Sequence, residues 1–195
     1  NLPRSGPDSW NEPVPRYGSM LYDDAWNWFR ANYPAIASHL LQFKDKAEKR
    51  LDQGDFWWEL RACDYYYKFS EAKIMYQKFQ VKPCFIYDTT GAYCNDSMWI
   101  IPSNNNVLLA ILNSKMGWWL TSKYCTSIQN GFQLIWDYFG KIPIPAEFDP
   151  AISTKILDHV NQILELKKSY PHADTSALEK EIDELVYELY GLTEE

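Results

Sequence analysis

Apolar residues recur along this chain with two periods, and the change from one to the other divides it into stretches of different structure. Over residues 1–20 neither period is visible: Pro3, Pro7, Pro13 and Pro15 punctuate polar residues, which predicts an extended arm or linker. Asp23 and Asp24 suit the start of a short helix through about Ala31, which Tyr33-Pro34 ends. Pro34 fits the first turn of a second helix, along which Ile36, Leu40, Phe43, Ala47 and Leu51 fall three and four apart until Gly54. From residue 56 to 87 the texture turns to aromatic and β-branched clusters, Phe56-Trp57-Trp58, Tyr65-Tyr66-Tyr67 and Lys73-Ile74-Met75-Tyr76, which read as short strands. Residues 84–88 and 92–95 bracket Thr89-Thr90-Gly91 as arms of a hairpin whose glycine supplies a positive φ, and residues 98–101 read as one more strand.

The helical period then returns. Asn104, Asn105 and Asn106 offer caps for a helix over 107–123, with Leu108, Ile111, Leu112, Met116 and Trp119 on its buried face. Residues 124–134, polar and containing Gly131, read as an exposed loop. After Ile142-Pro143-Ile144-Pro145 two amphipathic helices follow: one from Asp149-Pro150 with Ile152, Ile156, Val160 and Ile163 on one face, and one from Thr175-Ser176. In the second, Ser176 and Glu179 have capping-box spacing, and Leu178, Ile182, Leu185 and Leu189 recur at four, three and four, a coiled-coil seam. Pro171 turns the corner and Gly191 ends the second helix, which predicts an antiparallel hairpin. The fold class expected is α/β (α+β): a small mixed sheet with flanking helices over 21–145, followed over 146–195 by a coiled-coil helical hairpin that acts as spacer, dimerisation or docking element.

A length of 195 residues, 46% hydrophobic and 23% charged, fits one globular domain with a small appended unit and excludes disorder as the main state. The longest apolar run is residues 107–112, far short of the roughly 20 residues that span a bilayer, and no signal peptide opens the chain, so a soluble, cytoplasmic protein is expected. The first residue is Asn and the start is proline-rich, which points to a piece of something longer. The net charge of −7 argues against a polyanionic partner only on average. Residues 1–70 carry 9 basic and 10 acidic groups, residues 71–145 carry 6 and 4, and residues 146–195 carry 4 and 12. With a Debye length of about 8 Å, an acidic tail some distance away leaves the basic middle free to meet DNA.

Candidate chemistry is sparse. Cys63, Cys84, Cys94 and Cys125 contain no close pair of the kind that clamps a metal, and read as reduced structural thiols, with Cys84 and Cys94 able to face each other across the 84–95 hairpin. His39, His159 and His172 are scattered and read as surface or packing residues. No glycine-rich phosphate cradle and no serine nucleophile elbow is present. Glu71-Ala72-Lys73 with Asp55 or Asp64 upstream resembles the acidic residue and Glu-x-Lys of metal-dependent nucleases, against a plainer reading in which Lys73 is a strand-edge charge and Glu71 its solvated neighbour. The 9 Trp, 14 Tyr and 9 Phe serve either as base-stacking platforms or as core, and packing is favoured. The stretch KYCTSIQNGFQ at 123–133 brings Lys123, Ser127, Gln129, Asn130 and Gln133 together; Gln and Asn bond bidentately to adenine in the major groove, although an ordinary polar loop would look the same.

The chain resembles a known family in WWELRACDYY at 57–66, KIMYQKF at 73–79, CFIYDTTGAYCND at 84–96, LLAILNSKMGWW at 108–119 and KIPIP at 141–145. As an ordered set these strings are similar to the TaqI-like C-terminal specificity domain, the target recognition region of adenine-specific DNA methyltransferases and of type IIG enzymes in bacterial restriction-modification systems. The ending LEKEIDELVYELYGLTEE at 178–195 is similar to how those polypeptides close. The resemblance places the Lys73 strand and Asn113-Ser114-Lys115 within a recognition fold. It implies a binding module for double-stranded DNA whose partner is the N-terminal methyltransferase domain of the parent chain, which takes S-adenosylmethionine, with magnesium where the parent also cleaves. The catalytic Asn/Asp-Pro-Pro-aromatic motif does not occur in these residues, so no cofactor, metal or catalytic residue is expected here and the fragment is not expected to be an enzyme. The resemblance also likens the helical hairpin to the spacers of type I specificity subunits.

The resemblance supplies no base code, so contacts are assigned by chemistry. Lys78, Lys82, Lys115 and Lys123 are candidates for phosphate; Gln129, Asn130 and Gln133 are candidates for base edges, with Ser127 beside them. The alternatives are a protein-interaction scaffold, including a homodimer through the C-terminal helices, and the nuclease built on Glu71 and Lys73.

Overall fold

A computed structural model describes residues 22–51, 54–60 and 65–192, so the arm expected over 1–20, Cys63 and Asp64 lie outside the described residues. The chain divides between Ser70 and Glu71 into two compact units.

In the first unit, α1 (Tyr22–Asn32) has Asp23 and Asp24 inside its first turn rather than at the cap, and α2 (Pro34–Leu41) begins on its proline as expected. The helix predicted from Pro34 to Leu51 instead breaks after Leu41 and resumes only as the short α3 (Lys44–Ala47). Among the described residues its apolar stripe is only partly covered: Ala37 is buried but Ile36, Leu41 and Phe43 are about half exposed, and a helix that buries little of its stripe gains little from each added turn.

The strands expected at Phe56-Trp57-Trp58 and Tyr65-Tyr66-Tyr67 are absent; the first run lies in turns and the second enters a 3-10 turn (Tyr66–Phe69). Trp57 and Trp58 both pack on Trp26, at centroid separations of 5.2 and 4.9 Å. Consecutive residues of a strand point to opposite faces and could not both do this. Phe56 stacks on Trp58 at 4.7 Å, Trp57 Nε1 donates to the Tyr22 hydroxyl, and Arg50 donates to the carbonyls of Trp57 and Glu59.

The second unit replaces the expected mixed sheet by two three-stranded sheets, both antiparallel. One has the order β3-β1-β4, with β1 (Lys73–Gln77) between β3 (Phe85–Asp88) and β4 (Met98–Ile101). The other has the order β2-β6-β5, from β2 (Phe79–Gln80), β6 (Gly131–Gln133) and β5 (Thr126–Ile128). The chain changes sheet at Lys78, whose N–H donates to the Ser97 carbonyl and whose carbonyl accepts from Leu134.

The hairpin expected over 84–95 does not form: residues 92–95 are not a strand, and β3 pairs with β1 instead. After β3 the chain wraps the Asp88 carboxylate, which accepts from Thr90 N, Thr90 Oγ1 and Ala92 N, while Gly91 takes the expected positive φ of 77°. Cys84 and Cys94 therefore do not face each other across strands; they and Cys125 are free thiols.

The helix predicted over 107–123 is two helices, α4 (Asn106–Asn113) and α5 (Lys115–Tyr124). Ser114 parts them: extended at ψ 166°, it donates its hydroxyl to the Ile111 carbonyl and accepts from Gly117 N, closing one helix and capping the next. Asn105 caps α4, its Oδ1 accepting from Val107 and Leu108 N–H. A four-residue helix α6 (Trp136–Phe139) follows β6.

Asp149 caps α7 (Pro150–Ser169). In α8 (Ser176–Leu189) the N-cap is Thr175 rather than Ser176, and the capping box expected from Ser176 is replaced by a Thr175 hydroxyl bonded to Glu179 at 2.6 Å. Gly191 at φ 68° ends α8 with Leu192 N donating to the Tyr187 carbonyl and Gly191 N to that of Glu188, a Schellman closure. Helices α7 and α8 pack on each other and on α4, with His159 Nε2 3.0 Å from Glu181 Oε2. Ile156, Val160, Ile182, Leu185 and Val186 share one core with Ile74, Tyr76, Phe85 and Ile111. Among the described residues no helix is long and apolar enough to cross a membrane.

Candidate nucleic-acid interface

Residues 124–134, expected to be a loop, are mostly strand. Asn130-Gly131 has the composition of a hairpin dipeptide, but Gly131 lies in β6 and neither residue takes the positive φ such a dipeptide supplies, so it does not mark the turn that forms. Ile128 faces Gly131 across the turn, so Gln129 and Asn130 form the two-residue tip. Both are exposed. Gly131 is required by packing: a Cβ there would stand 2.0 Å from the Gln80 carbonyl oxygen, because β2 runs close alongside.

Register then sorts the remaining candidates by face. Gln133 lies opposite Thr126 on one side and Phe79 on the other, so these three side chains share a face, on which Phe79 and Thr126 are exposed. Ser127 pairs with Phe132, which pairs with Gln80, and so belongs to the opposite face. That face packs inward at β6, where Phe132 meets Trp118 of α5 edge-on at 5.1 Å. Gln129 and Asn130 thus sit at the tip of the hairpin and Gln133 at its open end, while Ser127, though exposed at the sheet edge, lies on the face opposite Gln133.

Three of the four candidate lysines surround this sheet. Lys78 immediately precedes β2, and its ammonium stands 5.9 Å from the Trp99 ring. Lys82 follows β2 in a turn held by buried Gln80, whose Oε1 accepts from Cys84 N at 3.0 Å. Lys123, near the end of α5, lies 5.4 Å from the exposed Trp119 ring. Lys115 stands apart. Its backbone N–H donates to Asp183 Oδ1 at 2.8 Å and its ammonium lies 3.2 Å from Asp183 Oδ2, so a buried carboxylate of α8 fixes the start of α5; the same contact holds the Lys115 pKa above its ordinary value. Lys82 and Lys115 border a groove of about 900 Å³ that continues past Ile86, Trp118 and Trp119 to Ile163.

The Glu71-Lys73 pattern leads elsewhere. Lys73 is not at an edge: it opens the central strand β1, is fully buried, and pairs through its ammonium with Asp88, its cross-strand partner in register. Burial alone would raise the Asp88 pKa, but the bonds from Lys73, from the Thr90 hydroxyl and N–H, and from Ala92 N–H outweigh it and hold the carboxyl well below the ordinary range. Among the described residues no group of three or more His, Cys, Asp or Glu side chains is arranged to hold a metal ion. Burial pushes the Cys125 thiol up to about 11, away from nucleophilic reactivity.

The family described as TaqI-like C-terminal specificity domain matches residues 28–144. No curated protein matches the chain.

Proposed function

Because the chain belongs to the TaqI-like C-terminal specificity domain family, we propose that it reads a double-stranded DNA sequence for an adenine-specific methyltransferase of a restriction-modification system, of the separate or the type IIG kind. In this reading methyl transfer from S-adenosylmethionine belongs to a methyltransferase domain of the parent protein, residues 21–145 recognise the target, and α7 and α8, which share a core with the strands, act as a docking element.

The observation that carries the reading is the β2-β6-β5 sheet: two amide side chains at a hairpin tip and a third on the outward face, with Lys78, Lys82 and Lys123 on the segments around them. Amides at a protruding tip have the geometry for base edges, and lysines around it have that for the flanking phosphates. The acidic balance of 146–195 supports a role for α7 and α8 away from the duplex, since helices laid on DNA would meet repulsion.

The test separates the two classes of contact. After selection of a preferred duplex from a randomised pool, Lys123→Ala weakens binding to every sequence alike, whereas Gln129→Ala or Asn130→Ala brings preferred and scrambled duplexes closer, by about 1–3 kcal/mol per lost base contact. Equal effects on all sequences from both kinds of change would refute the assignment of the tip to base reading.

A further inference from the structure

Residues 71–145 contain six lysines and no arginine, and the structure divides them unevenly. Lys73 is paired with Asp88 and Lys115 with Asp183, both carboxylates buried. Lys78, Lys82, Lys123 and Lys141 make no ion pair among the described residues, and all four lie on segments that lead into or out of the β2-β6-β5 sheet. Among carboxylates, only Asp137 lies on those same segments. The uncompensated positive charge of this unit is therefore gathered at one sheet.

Two of these lysines have matching settings. Lys123 lies at the end of α5, just before β5, with its ammonium 5.4 Å from the Trp119 centroid; Lys141 lies just after α6, which follows β6, with its ammonium 5.7 Å from the Tyr138 centroid. Helices α5 and α6 touch each other. Trp119 is 53% and Tyr138 47% exposed, so each ring presents a face to solvent beside its lysine. Here each ring restricts a long, flexible cation that would otherwise sample many rotamers.

We propose that Lys141 on Tyr138 and Lys123 on Trp119 are a matched pair of preset phosphate contacts, one at the C-terminal end of each helix through which the β5–β6 hairpin joins the fold. This rests on the DNA-recognition reading and adds to it Lys141, which the sequence did not single out, and a role for the two rings: they position the ammonium groups without touching a base. Duplex DNA is the occupant that the charge selects, since it offers phosphates on both sides of any groove a hairpin tip enters.

The 195-residue chain is titrated with a fluorescein-labelled random-sequence duplex from about 50 to 200 mM salt, and log affinity is plotted against log salt. Lys141→Ala and Lys123→Ala each reduce the magnitude of the slope by about 0.9, the loss of one phosphate contact. Lys141→Arg restores the slope, which separates lost charge from misfolding. Tyr138→Leu and Trp119→Leu keep the slope but weaken binding about two- to five-fold, the range of an exposed cation-ring contact. A wild-type slope in Lys141→Ala, or unchanged affinity in both ring variants, overturns the proposal; if Gln129 and Asn130 variants still lose preference, the recognition reading survives that failure. A wild-type chain with no salt-dependent affinity for the duplex removes the reading and the paired contacts together.

Discussion

A lysine that is fully buried at the start of a central strand needs a partner, because an uncompensated interior charge costs several kcal/mol. Asp88 is that partner, and it is itself bound by the loop that follows β3. Replacing Asp88 by Asn removes this buried carboxylate from the Lys73 ammonium and is expected to cost up to about 3–5 kcal/mol, read as a lower urea midpoint; adding Lys73→Met recovers much of the loss. The pH dependence follows from the depressed pKa. Its stabilisation is complete above the unfolded-state value of about 4 and disappears as pH falls from there toward the lower folded-state value. Urea unfolding across acid pH therefore shows a steeper decline below about pH 4 in the wild type than in Asp88→Asn, and parallel declines would refute the pairing. The sequence gives no access to this pair. Lys73 and Asp88 are 15 residues apart and meet only once β1 and β3 adopt their register, so a charge in an apolar run looked like an edge residue.

At the scale of elements, patterns local in sequence were legible and those decided by a neighbouring element were not. The Asn105 cap, one of three asparagines the sequence offered, and the Asp149 cap, the Pro34 start and the Gly191 stop each act within a turn of their own residue, and the structure has them there. The break at Ser114 and the stop after Leu41 depend on what the helix packs against, which periodicity cannot show. The β5–β6 hairpin was obscured for a related reason: its strands have three residues each and one face is solvated, so little alternation reaches the sequence. What makes that hairpin part of a sheet is the close passage of β2 over Gly131. A methyl group at Gly131 would meet the Gln80 carbonyl, and backbone cannot swing aside as a side chain would. Gly131→Ala is accordingly expected to part β2 from β6, lower stability by about 1–3 kcal/mol in thermal denaturation, and abolish preference among duplexes while the β3-β1-β4 sheet stays folded. Undiminished preference in Gly131→Ala would show that the tip does not rely on β2 for its placement.

For the molecule as a whole, the composition change after Pro145 marks a change of surface charge, from a net +2 over 71–145 to −8 over 146–195, while the packing runs through it. Composition reports what a segment exposes; it does not report what its apolar face lies on, and the seam that suggested a self-contained coiled coil is largely turned to a shared core. Ile156, Val160, Ile182, Leu185 and Val186 lie with Ile74, Tyr76 and Ile111 in one cluster, and Asp183 fixes the start of α5. Full burial of such side chains contributes about 1.5–3 kcal/mol each, so the five together match the whole stability of an ordinary domain, about 5–15 kcal/mol. A chain ending at Pro145 is therefore expected to lose cooperative unfolding and sharp amide dispersion, and to bind duplexes without preference through its lysines alone. A spacer that merely extends the molecule could be removed without those losses, and a truncated chain that kept both its cooperative transition and its sequence preference would assign α7 and α8 that lesser part. The integral arrangement also has an electrostatic consequence. Because the acidic helices share a core with the segments that carry Lys78 and Lys123, their negative surface is fixed relative to the hairpin, and in the proposed reading a duplex approaching that side is repelled while one approaching the lysines is drawn in.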